Sequence, residues 1–356
     1  MKSLSITVWR LPFLLLAILS LIVGLWTGLS RIGWDIFILP ATAHHGAVMV
    51  GGFLGSLIAL EKVIPLRTKW LFIIPCLSIA AVIMFLLGEM RAAIFLLVLA
   101  SVGLTGLFGF YWYKQRSVIY ALMLVGALCL FIGNVLLYNA LFYPLAFPWW
   151  VAFILFVTAA ERIELMKFLP VTARSKNFFI ILLLTFIAGA AVSFHHYGNI
   201  IAGASLFATA LWLLSNDAIS VGLKKQGLTK FVSTSLLLGY LALLTTGIFF
   251  ITFSDHWLAY DALVHTFFIG FAFSMIFAHG PIILPGVLGI SAKPYHHVLY
   301  IWLLLLHCSW LLRVFSDAFT AMEWRRYSAI FTTIAIVGYF LSIALLTIQN
   351  EHGKTR

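Results

Sequence analysis

Hydrophobic and polar positions fall in long blocks along this chain: runs of about twenty apolar residues, each closed by a short polar or Pro/Gly-bearing turn. Twelve such runs can be read, at about 10–29, 42–60, 69–87, 93–113, 117–139, 148–168, 177–194, 199–216, 229–253, 260–290, 297–316 and 327–348. A helix needs roughly 20 apolar residues to cross about 30 Å of hydrocarbon. At that length only a helix satisfies its own backbone groups in lipid. The pattern therefore predicts an all-α, polytopic integral membrane protein of about twelve transmembrane helices. The tenth run is too long for a simple span and holds Gly280-Pro281 and Pro285, which predicts a kink or break there. The first run lacks a small-residue cleavage site and is followed by further spans, so it reads as a retained helix. The longest non-apolar stretch lies around 217–230. No soluble domain or linker is evident, and 1–356 reads as a single transmembrane helical domain.

Composition sharpens this picture. Hydrophobic residues make up 63% of the 356 and charged ones 9%, and the mean hydropathy is +1.10, outside the range of soluble globular chains. The net charge of +11 raises nucleic acid as a partner, but its distribution argues for topology instead. With both termini cytoplasmic, only Arg31, Arg91, Arg313, Arg325 and Arg326 fall outside, and the remaining Lys and Arg fall inside. This is the positive-inside pattern. The expected partner is the lipid bilayer, with no nucleic acid, and the expected location is a bacterial inner (cytoplasmic) membrane. Cys76, Cys129 and Cys308 all lie within spans, and no CxxC or CxxCH spacing occurs. Disulfides, covalent c-type haem and zinc ribbons are not expected.

Against this background four histidines stand out: His45, His265, His279 and His307. Ionisable side chains at membrane depth are expensive, and the default reading is functional. His44 and His45 open the second span and His265 opens the tenth, both near the outer face. Even-numbered spans run in one direction, so His45 and His265 are expected at similar heights, as two imidazoles on one haem iron or copper would be. His279 lies fourteen residues beyond His265, close to the same face of a regular helix and about 21 Å deeper. With His307 of the eleventh span and Glu161 and Arg162 of the sixth, it is expected in a mid-membrane polar cluster, with Asn134 as a further partner. That cluster would serve a second cofactor site or a proton path. Asp261, four residues before His265, would orient its ring or cap the helix start. Met49 is a candidate thioether ligand or a lipid-facing side chain. The bland reading of each histidine is a hydrogen bond between helices. His44 would then face the headgroups, and His195, His196, His256, His296, His297 and His352 would be solvated.

Three short motifs resemble the NnrS family of polytopic membrane proteins. They are His45-x3-Met49-x2-Gly52-Phe53, His265-x4-Gly270-x4-Met275, and the weaker Glu161-Arg162-Ile163. The remainder of the chain matches in hydropathy. The family's fuller HxHEM-type signature is HGAVM here, with Gly46, Ala47 and Val48 at its polar positions. The resemblance implies a haem- and copper-containing inner-membrane protein linked to nitric oxide or denitrification stress or to respiratory metabolism. It makes His45 and His265 the metal ligands and respiratory or denitrification proteins the partners. The adjacent-His and His-x-His ligand pairs of haem–copper oxidases are not evident, so oxygen reduction is not predicted. The alternative is a proton-coupled secondary transporter, with Glu161, Arg162, His279 and His307 around a broken tenth helix. A cofactor-free assembly factor is a third option.

Overall fold

The computed structural model describes residues 8–192, 197–252, 256–290 and 293–354. Among them twelve helices are long and apolar enough to cross a membrane: Leu11–Arg31, Pro40–Leu66, Lys69–Leu86, Met90–Gln115, Val118–Ala140, Tyr143–Leu165, Ala173–Ala191, Gly198–Asn216, Gly227–Ile251, Ala259–Val287, Val298–Ala318 and Met322–Asn350. No strand occurs among the described residues. The protein is an all-α, multi-pass membrane protein, as lipid requires of a chain whose backbone must bond within each segment.

The helices extend beyond several of the apolar runs. The sixth span begins at Tyr143 and carries Pro148 inside it. The twelfth starts at Met322 and takes in Glu323, Arg325 and Arg326. Hydropathy marks only the lipid-facing part of a helix, and polar turns can project past it. Two boundaries follow side-chain capping: Ser117 Oγ accepts from Tyr120 N at 3.3 Å and Thr172 Oγ1 from Ser175 N at 3.2 Å, each meeting a donor that the first turn leaves unpaired.

The tenth span stays continuous where a kink or break is expected. No break occurs at its prolines: residues 273–287 remain α-helical through Pro281 and Pro285. Pro281 has no N–H, which orphans the carbonyl of Phe277 four residues earlier. The hydroxyl of Tyr339, in the twelfth span, donates to that carbonyl at 2.7 Å. The same tyrosine stacks on the Phe277 ring at 3.8 Å between centroids. An external donor thus replaces the missing bond. The irregularity lies earlier, in a π-helical segment at Thr266–Ala272. A second π-helix occupies Val48–Leu54 of the second span.

The chain groups into two compact units, Met1–Ala160 with Ile283–Ser291 and Glu161–Ile282 with Ala292–Arg356. In the first, Asn134 of the fifth span donates to the Leu97 carbonyl of the fourth at 3.1 Å and accepts from Trp150 of the sixth at 3.0 Å. In the second, the eighth and ninth spans meet backbone to backbone: a Cβ on Gly203 would lie 2.6 Å from the Gly247 carbonyl oxygen, and one on Gly247 would lie 2.8 Å from that of Gly203. Small residues permit such an approach in lipid, where packing rather than hydrophobicity joins helices.

Candidate functional site

In the first unit, a 3-10 turn at Pro40–His44 leads into the second span and delivers His45 at its first α-helical residue. The His45 Nδ1 lies 2.8 Å from the Gly24 carbonyl oxygen and 3.3 Å from Thr27 Oγ1. Because a carbonyl only accepts, Nδ1 carries the proton and Nε2 the lone pair with which an imidazole ligates a metal. The first span is shaped to receive this ring. A Cβ on Gly28 would lie 2.9 Å from His45 Cε1, and one on Gly24 would lie 2.2 Å from Met49 Sδ. Met49, four residues after His45, therefore packs on the first span.

His44 is also placed differently from expectation. It is half-buried, stacks on Phe85 at 4.9 Å and bonds to the Tyr143 hydroxyl at 2.9 Å. Protein partners, not headgroups, hold it.

In the second unit, His265 closes the first short α-helical stretch of the tenth span. Its Nδ1 lies 2.8 Å from the Asp261 carbonyl oxygen and 3.4 Å from the Asp261 carboxylate, so here too Nε2 is the lone-pair atom. The Asp261 carboxylate does not cap the helix. It accepts from Arg313 Nε at 2.8 Å and Nη2 at 3.0 Å, and from Arg325 Nη2 at 3.0 Å. Arg325 also donates to Asp317 at 2.8 Å, and Asp317 is 2% exposed. Charged groups from the tenth, eleventh and twelfth spans thus surround the His265 turn. Arg313 and Asp317 are four residues apart at the end of one apolar run, a spacing that could have revealed them.

His45 and His265 share a local design. Each shortly precedes a π-helix of seven residues, VMVGGFL and TFFIGFA, with Gly-Phe at its fifth and sixth positions (Gly52-Phe53 and Gly270-Phe271). In each a buried serine follows two residues past the end, Ser56 and Ser274. Irregular helical turns of this type concentrate at functional sites.

The mid-membrane cluster divides. Arg162 is 3% exposed; its Nη2 donates to His279 Nε2 at 2.7 Å, and its Nη1 lies 3.6 Å from Asp217 Oδ2. His279 Nδ1 is tied to the Met275 carbonyl at 2.7 Å, which leaves Nε2 as the acceptor and the ring neutral. Asp217 Oδ2 also accepts from the fully buried Tyr240 hydroxyl at 2.5 Å. A guanidinium does not release its protons at ordinary pH, so this arrangement locks helices together more readily than it relays protons. Asp217, at the edge of a polar stretch, was legible only as a loop residue. His307 is separate, bonded to Ser274 at 2.8 Å. Asn134 belongs to the Leu97–Trp150 contact, and Glu161 is half-buried. His256, His296 and His297 are exposed. His195 and His196, and the side chain of His352, lie outside the described residues. Among the described residues, no three His, Cys, Asp or Glu side chains converge on one point.

No curated protein and no solved structure matches the chain. Residues 10–348 match the profile of a family described as a domain of unknown function (DUF8744), and the chain belongs to that family.

Proposed function

We propose that this protein is a haem-binding membrane protein of NnrS-like type, in which His45 and His265 are each a metal ligand through Nε2. The observation that carries this reading is the matched pair of rings. Each is tied through Nδ1 to a backbone carbonyl, the arrangement that fixes tautomer and orientation in ligating histidines, and each introduces a π-helix of like sequence. Haem iron takes one or two imidazole ligands, which His45 and His265 can supply. When bound, the porphyrin iron would supply electron transfer or small-ligand binding. The protein's part is to hold and orient the rings and to keep bulk water away. Lysine and arginine placement supports cytoplasmic termini and a bacterial inner-membrane location.

The test is absorbance at the Soret band with iron and copper analysis of protein purified from haem- and copper-supplied cells. Loss of the band in His45→Ala and His265→Ala, but not in His256→Ala, is expected. A colourless, metal-free wild type would sink the reading. The second reading, a proton-coupled transporter, draws on the buried Arg162–Asp217 pair, since intramembrane charge marks substrate or ion paths. It predicts substrate-dependent proton flux in vesicles of the colourless protein.

A further inference from the structure

Between His265 and Pro281 the tenth span carries a stripe at Thr266, Gly270 and Ser274, spaced four residues apart, and one turn of the eleventh span grips it. Trp310 Nε1 donates to Thr266 Oγ1 at 3.1 Å, beside His265. The Trp310 indole also lies over Gly270, where a Cβ would be 3.2 Å away. His307, three residues before Trp310, bonds to Ser274 Oγ at 2.8 Å, and the two rings meet edge to face. Thr266 and Ser274 in turn donate to the carbonyls of Ala262 at 2.7 Å and Gly270 at 2.7 Å. The single Ser274 proton goes to the carbonyl, so His307 is the donor, through Nε2–H. On another side the ninth span closes in with small residues: a Cβ on Gly239 would be 3.0 Å from Ser274 Cβ, and one on Gly270 would be 2.7 Å from Ala242 Cβ. The other π-helix has apolar neighbours instead, with Val82 seated on Gly52 and Leu97 on Gly51.

We infer that His307 and Trp310 are positioning residues: a two-point clamp from the eleventh span that holds the π-helix at Thr266–Ala272 and so sets the direction of the His265 ring. His307 acts as a hydrogen-bond donor, neither as a metal ligand nor as a proton carrier. The clamp itself stands on geometry alone. Its consequence for a cofactor rests on the haem reading.

Glutamine at 307 places an N–H near the position of Nε2 but neither ligates iron well nor shuttles protons, and it separates these roles. In His307→Ala, backbone hydrogen exchange across 266–275 is expected to rise roughly tenfold, while that across 48–54 stays at the wild-type rate. His307→Gln is expected to restore slow exchange. Trp310→Phe, which keeps the ring and removes the donor, is expected to accelerate exchange at the Thr266 end. In haem-loaded protein, His307→Ala would keep the Soret band with a shifted maximum and reduction potential, and His307→Gln would return both towards wild type. Unchanged exchange in both His307→Ala and Trp310→Phe overturns the clamp. Loss of the Soret band in His307→Gln as well as His307→Ala overturns the donor role. A wild-type protein without a chromophore removes the cofactor reading and leaves the exchange experiment as the judge of the clamp.

Discussion

Replacing Arg162 by methionine tests the buried network directly. The substitution keeps much of the side-chain volume and removes the charge beside Asp217, whose side chain is 1% exposed. Breaking one partner of a buried pair costs about 3–5 kcal/mol, because the other charge stays uncompensated. Two features place this case towards the lower end. Asp217 keeps the Tyr240 hydroxyl and the Ala218 N–H at 2.6 Å as donors, and its 3.6 Å approach to Nη1 is loose. The lost bond to His279 Nε2 adds about 1 kcal/mol, so the expected cost is about 4 kcal/mol. Thermal unfolding in mild detergent, followed by circular dichroism, should record a Tm fall on the order of 5–10 °C. Adding Asp217→Asn removes the stranded charge while keeping a partner for Tyr240, and should recover at least half of the loss. A Tm for Arg162→Met within about 1 °C of wild type, or a double variant as unstable as the sum of its singles, would refute the pair.

Three further substitutions probe other contacts. Tyr339→Phe keeps the stack on Phe277 but orphans the carbonyl above Pro281, and should cost about 1–3 kcal/mol in the same unfolding assay. Gly28→Leu drives a side chain against the His45 ring, since even a Cβ there would lie 2.9 Å from His45 Cε1. It should lower haem content per protein while leaving hydrogen exchange in the second unit unaltered; full haem occupancy would argue against His45 as a ligand. His44→Phe retains the stack on Phe85 and loses the bond to Tyr143, which predicts a loss of about 1 kcal/mol with the Soret band unchanged.

The twelve spans were legible because lipid leaves the chain one option, and a run of apolar residues reports it directly. Neighbour relations were not. Asn134 matches the deep histidines in depth, yet it bonds to Leu97 and Trp150, since depth fixes height and says nothing of which helices touch. The prolines of the tenth span signalled a break that Tyr339, fifty-eight residues after Pro281, prevents. The π-helices left no trace in hydropathy, because, Thr266 apart, every residue of the two segments is apolar whichever turn it occupies. They also spoil the estimate that His265 and His279 share a face. That estimate assumes about 100° per residue, and a wider turn rotates the chain less.

The deep histidines are better sorted by which nitrogen is committed than by depth. His45, His265 and His279 each give Nδ1 to a backbone carbonyl, so the chemistry of each is decided at Nε2. For His279 that atom accepts from Arg162, and a metal there would have to displace a buried guanidinium and leave Asp217 without its counter-charge. For His307 the committed atom is Nε2 itself, as donor to Ser274. Ligation would cost it that bond and free one end of the π-helix beside His265. Both arguments remove deep candidates for the same physical reason: in a lipid-embedded core a polar group released from its partner has no water to turn to. The cofactor reading therefore keeps to His45 and His265, where an Nδ1 bond to a backbone carbonyl orients each ring and each ring introduces a π-helix.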